Sequence, residues 1–372
     1  MAPATVAAFT DTYLPTVNGV SYTIQTWRDR WQERGGTMRI VYPGSTDYDP
    51  DPEEYPVRSL PFPMYEGFRI GTPRVPEAVE DADVVHAHTP FAVGIGGARL
   101  ARREDLPLVT SYHTPTAEYA DYLTSRPRVE HGIERLAERY ERWFLSRSDA
   151  IICPSEDARK RARDTAAPDT RTVVLSNGVD VDFFAPTDAE EFRERHGLPD
   201  GPLVGYTGRH GYEKNLSEFL RAAGGIDATV VLGGDGPARE DLESLAAGLD
   251  VDARFLGFLP REELPAFYSA LDAFVFPNPV ETQGLVALEA NACGTPVVAV
   301  DAGALSNTVQ DGVTGYHYEH GDVADCRDAI GRVLDERESL SASCLSRREA
   351  LSVDRVVDQL ADLYEGVIEE NR

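Results

Sequence analysis

The feature that most constrains this chain is the alternation of short β-branched runs with helix-length segments. In the first half the runs are TVAAFT (5–10), MRIVYP (38–43), ADVVHAH (82–88), PLVTSYH (107–113), DAIICPS (149–155) and TVVLSNG (172–178). In the second they are PLVGYTG (202–208), ATVVLGG (228–234), ARFLGF (253–258), DAFVFPN (272–278) and TPVVAVD (295–301). Strands separated by helical stretches argue for parallel sheets built from βαβ units. The 372 residues exceed one typical core and predict two such domains of roughly 150–200 residues each. The segment SNGVDVDFFAPTD (176–188) has the turn residues and proline of a connector, which puts the first domain at 1–180 and the second at 181–352. In the closing run Val353, Val356, Val357, Leu360, Leu363 and Tyr364 recur at helical spacing and predict an amphipathic helix.

Open α/β sheets bind ligands beyond the carboxyl ends of their strands, so residues just after strands carry the functional weight. After TVAAFT, Asn18, Gly19 and Val20 open a long helix, where a glycine lets backbone N–H groups approach a phosphate; a plain tight turn fits equally. After PLVGYTG, Arg209 and Lys214 stand at a helix entry and suit a diphosphate, the arginine as a fork and the lysine as a point charge; the alternative is a solvated basic pair. His113 ends PLVTSYH, a place where a lone histidine also serves structure. The stretch PNPVETQGLVALEANACGTPVV (277–298) holds Glu281 and Glu289 in otherwise apolar surroundings. Gly284 reads as a helix entry and Gly294 as the residue past its end, and Leu285, Leu288, Glu289 and Ala292 fall on one stripe. That spacing puts Glu289 on the apolar side, where a carboxylate needs a partner: a backbone group, an arginine or a ligand.

Charge excludes one class of partner. With 63 Asp and Glu against 36 Lys and Arg the net charge is −27, which argues against nucleic acid, whose binding rests on a basic surface. Lys160 and Lys214 are the only lysines, and acid enrichment with so little lysine resembles proteins of extreme halophiles. No apolar run approaches the roughly 20 residues of a spanning helix, and the start MAPATVAAFTDTYLP lacks a basic targeting region. Cys153, Cys293, Cys326 and Cys344 are far apart, which indicates neither zinc nor disulfides and suggests a reducing cytoplasm. The D-x-D triplets at 81–83, 180–182 and 250–252 come easily in so acidic a chain, and no metal site is expected.

FTDTYLPTVNGVSYT, SYHT, SNGVDVDFF, GRHGYEKN, GDGP, FLGFLPREELPAFYSALDAFVFP and ETQGLVALEANACGTPVVA together resemble the successive motifs of retaining glycosyltransferase family 4, from about residue 5 to about 320. The resemblance implies the GT-B architecture: two Rossmann-like, doubly wound parallel-sheet domains facing across a cleft, the acceptor on the first and the nucleotide-sugar on the second. It also implies that the C-terminal helix, 353–372, crosses back to the first domain. It assigns Glu289 to the nucleotide ribose, Glu281 to the donor sugar, and Arg209 and Lys214 to the diphosphate with the backbone N–H groups of Gly19, Gly284 and Leu285. It assigns His113 to the sugar near the reaction centre, and Phe258 with the backbone near Leu256 to the base. Asn18 departs from the family, many of whose members have a glycine there.

In activity, the resemblance implies a hexosyltransferase without metal or other cofactor, using a donor of the UDP-glucose, UDP-galactose or GDP-mannose class. A nucleotide-sugar 2-epimerase and a non-catalytic scaffold are the rival classes. The motifs look most like those of enzymes that glycosylate membrane lipids. The segment 97–147 matches nine arginines with eight acids in an otherwise negative protein and is rich in aromatics near its end. A lipid acceptor at the cytoplasmic face of the membrane, met by a peripheral enzyme, is therefore expected; a soluble or polysaccharide acceptor is the alternative.

Overall fold

A computed structural model describes residues 3–62, 68–113, 127–166 and 169–372, with only the backbone at 127–134 and 165–166. The chain divides into two units, Met1–Asn177 together with Val353–Arg372, and Gly178–Ser352; these are called unit 1 and unit 2.

Unit 1 contains β1 (Thr5–Phe9), β2 (Thr37–Pro43), β3 (Glu54–Val57), the short pair β4 (Ser59–Pro61) and β5 (Arg69–Gly71), β6 (Val84–Ala87), β7 (Leu108–Ser111), β8 (Ala150–Cys153) and β9 (Thr172–Val174). Seven of these form one parallel sheet in the order β3-β2-β1-β6-β7-β8-β9, while β4 and β5 pair antiparallel. Successive residues of a strand face opposite ways, so Val6 and Ala8 enter one core with Trp27, Trp31 and Ile40, and Ala7 and Phe9 enter another with Val85, Val93 and Leu100. Helix Gly19–Glu33 covers the first face beside the closing helix Val353–Glu370, whose buried residues are Val353, Val356, Val357, Leu360, Leu363, Tyr364 and Val367. The opposite face takes helix Ala92–Glu104, which approaches so closely that a Cβ on Gly97 would stand 2.8 Å from the Phe9 ring.

Unit 2 contains β10 (Leu203–Thr207), β11 (Thr229–Gly233), β12 (Ala253–Gly257), β13 (Ala273–Phe276), β14 (Val297–Val300) and β15 (Gly315–Tyr318), all parallel in the order β12-β11-β10-β13-β14-β15. Each sheet grows outward from its first strand in one direction and then in the other. The reversal falls between β1 and β6 in unit 1 and between β10 and β13 in unit 2, and the carboxyl ends of those strands are where such sheets bind ligands.

All eleven runs read from the sequence contain strands. β3, β15 and the β4–β5 pair were not among them. β3 carries Pro56 inside its four residues, which only an edge strand tolerates, and it lies at the edge.

Candidate active-site residues in the two units

In unit 1 the loop after β1 is fixed by buried polar groups. Asp11 accepts the N–H of Val93 at 2.8 Å and of Gly94 at 3.3 Å and the Thr89 hydroxyl at 2.7 Å. It thereby caps helix Ala92–Glu104, since the residue at the cap position, Phe91, makes no side-chain cap bond. Burial pushes the Asp11 carboxyl up, against those bonds. Gly94 is needed there, because a Cβ would stand 1.8 Å from the Thr89 carbonyl oxygen. Further along, Asn18 caps helix Gly19–Glu33: its side chain accepts from Ser21 N at 2.9 Å, its backbone N–H donates to Ser21 Oγ at 3.0 Å, and its Nδ2 donates to Thr12 Oγ1 at 2.7 Å. The side chain of Asn18 is thus occupied in structure, and it is the N–H groups of Gly19 and Val20, in the first turn, that have no place in the helix ladder. Tyr13 donates to Glu54 at 2.8 Å, and that buried carboxylate also receives Tyr48 at 2.9 Å and pairs with Arg28.

His113 follows β7 and is buried. It is one of three stacked rings. His86 in β6 and His88 just past its end, two residues apart, stack at 4.0 Å, and His88 stacks on His113 at 5.4 Å with the planes 9° apart. His88 Nδ1 lies 3.1 Å from His113 Nε2, and His86 is held at both nitrogens, by Tyr364 OH at 2.6 Å and Ser111 Oγ at 2.8 Å. Burial lowers all three, His113 to about 4 and His86 to about 3, with neighbouring imidazoles adding to the shift at His86 and His88. The column is neutral at pH 7. His86, His88 and Asp11 were not among the residues expected to matter, although VVHAH, with histidines two apart at a strand end, was the available signal.

In unit 2, Lys214 stands in the turn Tyr212–Lys214 after β10, and Glu281 follows β13. The sheet makes β10 and β13 neighbours, which joins two residues distant in sequence: Lys214 Nζ lies 2.8 Å from Glu281 Oε1. Burial pulls the Lys214 ammonium down, and Glu281 with Tyr206 outweighs it and holds the group above its ordinary range. Asn278, buried at the end of β13, donates to the same Oε1 at 2.7 Å and to Val280 O at 2.9 Å, fixing the loop that carries Glu281. Glu281 Oε2 receives no hydrogen bond among the described residues. Arg209 pairs with Glu213, four residues along the same loop.

Helix Leu285–Ala292 begins at Gly284, whose φ of +82° and whose crowding explain the glycine: a Cβ would meet Leu305 Cδ2 at 2.6 Å. No side chain caps this helix, so its first N–H groups and positive end stand beside the Glu281 loop. Gly294 follows the helix at φ +85°. The single apolar stripe expected here is corrected. Ala287, Leu288, Ala290, Asn291 and Ala292 are buried, whereas Leu285, Val286 and Glu289 form the partly open side. Eight residues packed on the sheet and on neighbouring helices are covered nearly all round, so a periodicity of apolar residues could not identify the open face. Glu289 is partly exposed and accepts Tyr268 OH through Oε2 at 2.7 Å, leaving Oε1 without a hydrogen bond among the described residues. Burial raises its carboxyl against the Tyr268 bond and the Arg261 charge. Both glutamates therefore have protein partners, and each keeps one oxygen open.

Phe258 is 70 % exposed just past β12, and Leu256 packs half-buried on the core. The glycines of the neighbouring loops let backbones touch, for a Cβ on Gly234 would lie 2.0 Å from Gly208 O. Each D-x-D triplet has structural partners: Asp81 pairs with Arg39, Asp83 accepts Thr5 N, Asp180 accepts Asp182 N and Phe183 N, and Asp252 accepts Thr229 Oγ1. The four cysteines are buried, and burial pushes each thiol up to about 12.

Residues 17–183 match the family model described as Glycosyltransferase Family 4, and residues 188–345 match that described as Glycosyl transferases group 1. The chain is 30 % identical to a GDP-mannose-dependent alpha-mannosyltransferase of Mycobacterium tuberculosis, with 99 % of this chain and 98 % of the relative covered. It is 29 % identical to alpha-monoglucosyldiacylglycerol synthase of Streptococcus pneumoniae over 89 % of this chain and 77 % of that one. Among solved structures, sucrose-phosphate synthase of Thermosynechococcus elongatus shares the fold at a TM-score of 0.79 and 20 % identity, covering 98 % of this chain and 100 % of the other.

Proposed function

The chain belongs to glycosyltransferase family 4, and on that premise we propose that it is a retaining hexosyltransferase, needing no metal or other cofactor, that moves a hexose from a UDP- or GDP-linked donor to a membrane lipid or lipid-linked glycan. The observation that carries this reading is the Lys214–Glu281 pair at the ends of β10 and β13, with one Glu281 oxygen open.

The barrier to glycosyl transfer lies largely in expelling the nucleoside diphosphate. Lys214, Arg209 and the N–H groups at the start of helix Leu285–Ala292 stabilise the charge that grows on it, and this is work for which fixed cations and a helix end suffice. The open oxygens of Glu281 and Glu289 accept hydroxyl hydrogens, of the sugar and of the ribose respectively. His113, neutral because burial holds it to about 4, contributes a hydrogen bond and no proton. Attack on the face from which the diphosphate leaves retains the configuration of the donor.

Two observations support a lipid acceptor. One relative bears the name alpha-monoglucosyldiacylglycerol synthase. In helix Pro127–Leu145, Leu136 is 69 % and Trp143 43 % exposed, with Arg135, Arg139, Arg142 and Arg147 exposed around them and the Arg147 guanidinium 4.2 Å from the Trp143 ring centre. Arginines beside exposed apolar side chains suit a surface resting among lipid headgroups on the cytoplasmic side. The acid-rich, lysine-poor composition supports work in molar salt.

The test is incubation with radiolabelled UDP-glucose, UDP-galactose or GDP-mannose and a lipid extract in molar KCl, with and without EDTA, followed by organic extraction. Label in the organic phase under both conditions is expected. Label confined to water removes the lipid acceptor, and a strict Mg²⁺ requirement removes metal independence. A Leu136→Ser, Trp143→Ser double variant should float less with liposomes than the parent.

A further inference from the structure

His88 is buried at 1 % exposure with its Nδ1 at 3.1 Å from His113 Nε2, and its other ring nitrogen, Nε2, is buried with no hydrogen-bond partner among the described residues. A neutral imidazole carries one proton, and the bond between the rings needs one. A proton supplied by His113 Nε2 leaves His88 with its own on Nε2, a buried N–H that donates to nothing. A proton supplied by His88 Nδ1 leaves only a lone pair at that spot. Buried donors go unpaired more rarely than buried acceptors, and a desolvated donor costs more free energy than one such bond returns.

We infer that His88 is a positioning residue: its Nδ1–H donates to His113 Nε2 and holds His113 in the tautomer that carries its proton on Nδ1. The plane of the His88 ring is set by its neighbours. It is stacked on His86 at 4.0 Å, Trp27 lies 5.9 Å away, and His86 is tied in turn to Tyr364 and Ser111. With Nε2 of His113 engaged by His88, the ring's own proton lies on Nδ1, and the proposed role at the donor sugar uses that proton. This consequence rests on the proposed role of His113 at the donor sugar; the tautomer itself rests on the geometry of the column.

Long-range ¹H–¹⁵N spectra of ¹⁵N-histidine-labelled protein separate the two neutral tautomers, and His113→Asn assigns the signal. His113 is expected as the Nδ1–H form in the parent. His88→Leu, which has no donor, should shift it toward Nε2–H and lower kcat about tenfold, the worth of one hydrogen bond to a buried ring. Affinity for UDP or GDP, whichever is the product, should stay unchanged. His88→Asn, whose Nδ2–H reaches nearly the place of Nδ1, should restore both tautomer and turnover. An Nε2–H His113 in the parent overturns the inference, as does a His88→Leu protein with unchanged tautomer. Should His88→Leu fail to fold, the parent spectrum and His88→Asn decide. If His113→Ala turns over normally while His88→Leu still shifts the tautomer, the sugar contact falls and the inference stands.

Discussion

Glu281→Gln should strengthen the binding of the free nucleotide while it weakens catalysis. Lys214 is already spoken for: its ammonium lies 2.8 Å from Glu281 Oε1, with 22 % and 20 % of the two side chains exposed. At that distance the gross attraction is about 6 kcal/mol at an effective dielectric of about 20. Desolvation and side-chain ordering cancel most of it, and a hydrogen bond between charged groups nets about 1.5–3 kcal/mol. Discounted for the exposed fifth of each side chain, about 1–2 kcal/mol remains. An incoming diphosphate competes with Glu281 for the ammonium, so removing the carboxylate charge releases that amount to the nucleotide. Calorimetric titration should find UDP, or GDP, bound about 5–30-fold more tightly by Glu281→Gln than by the parent. Turnover should fall about 10², since the sugar loses an acceptor aligned with the transition state. Lys214→Ala should weaken both. Nucleotide binding that is weaker in Glu281→Gln, or undiminished in Lys214→Ala, refutes the competition.

Gly284→Ala forces a side chain into a left-handed cap already filled by Leu305 and Phe276, and should destabilise unit 2 by about 1–3 kcal/mol in urea titration while lowering nucleotide affinity. The histidines of the column are depressed in the folded state, so the unfolded chain binds more protons below its ordinary value of 6.5; stability is full above that value and falls as pH drops toward about 4. His88→Asn should lose stability less steeply than the parent over that window. In dilute buffer a net charge of −27 repels itself, and circular dichroism should show structure lost at about 0.1 M salt and retained in molar KCl.

The strands were legible because a central parallel strand is buried on both faces and reads as a continuous apolar run, as in Val84–Ala87 or Val297–Val300. Edge strands are not so constrained: β3 reads EYPV and β15 GYHY, and neither separates from a loop by composition. Lys214 and Glu281 were visible singly, at strand ends, but their contact depends on β10 lying beside β13, which only the sheet order supplies. The spacing around Glu289 does not pick out its partly open side, because periodicity reports a face only when one face is wet. His113 looked like a lone histidine, since stacking with His86 and His88 depends on the parallel pairing of β6 with β7.

The return of Val353–Glu370 to unit 1 also orders the birth of the molecule. Unit 2 is contiguous, Gly178–Ser352, and all of its strands have emerged before the last helix is made. Unit 1 begins before unit 2, yet the face of its sheet bearing Val6, Ala8 and Ile40 lacks Val356, Leu360 and Tyr364 until the helix that follows unit 2 is made. On the ribosome the second unit is therefore complete before the first, reversing the usual amino-terminal-first order. Until then Trp31, which meets Tyr364 edge-on in the finished protein, has no ring to close over it, and a nascent chain stopped at Ser352 presents that apolar face to chaperones.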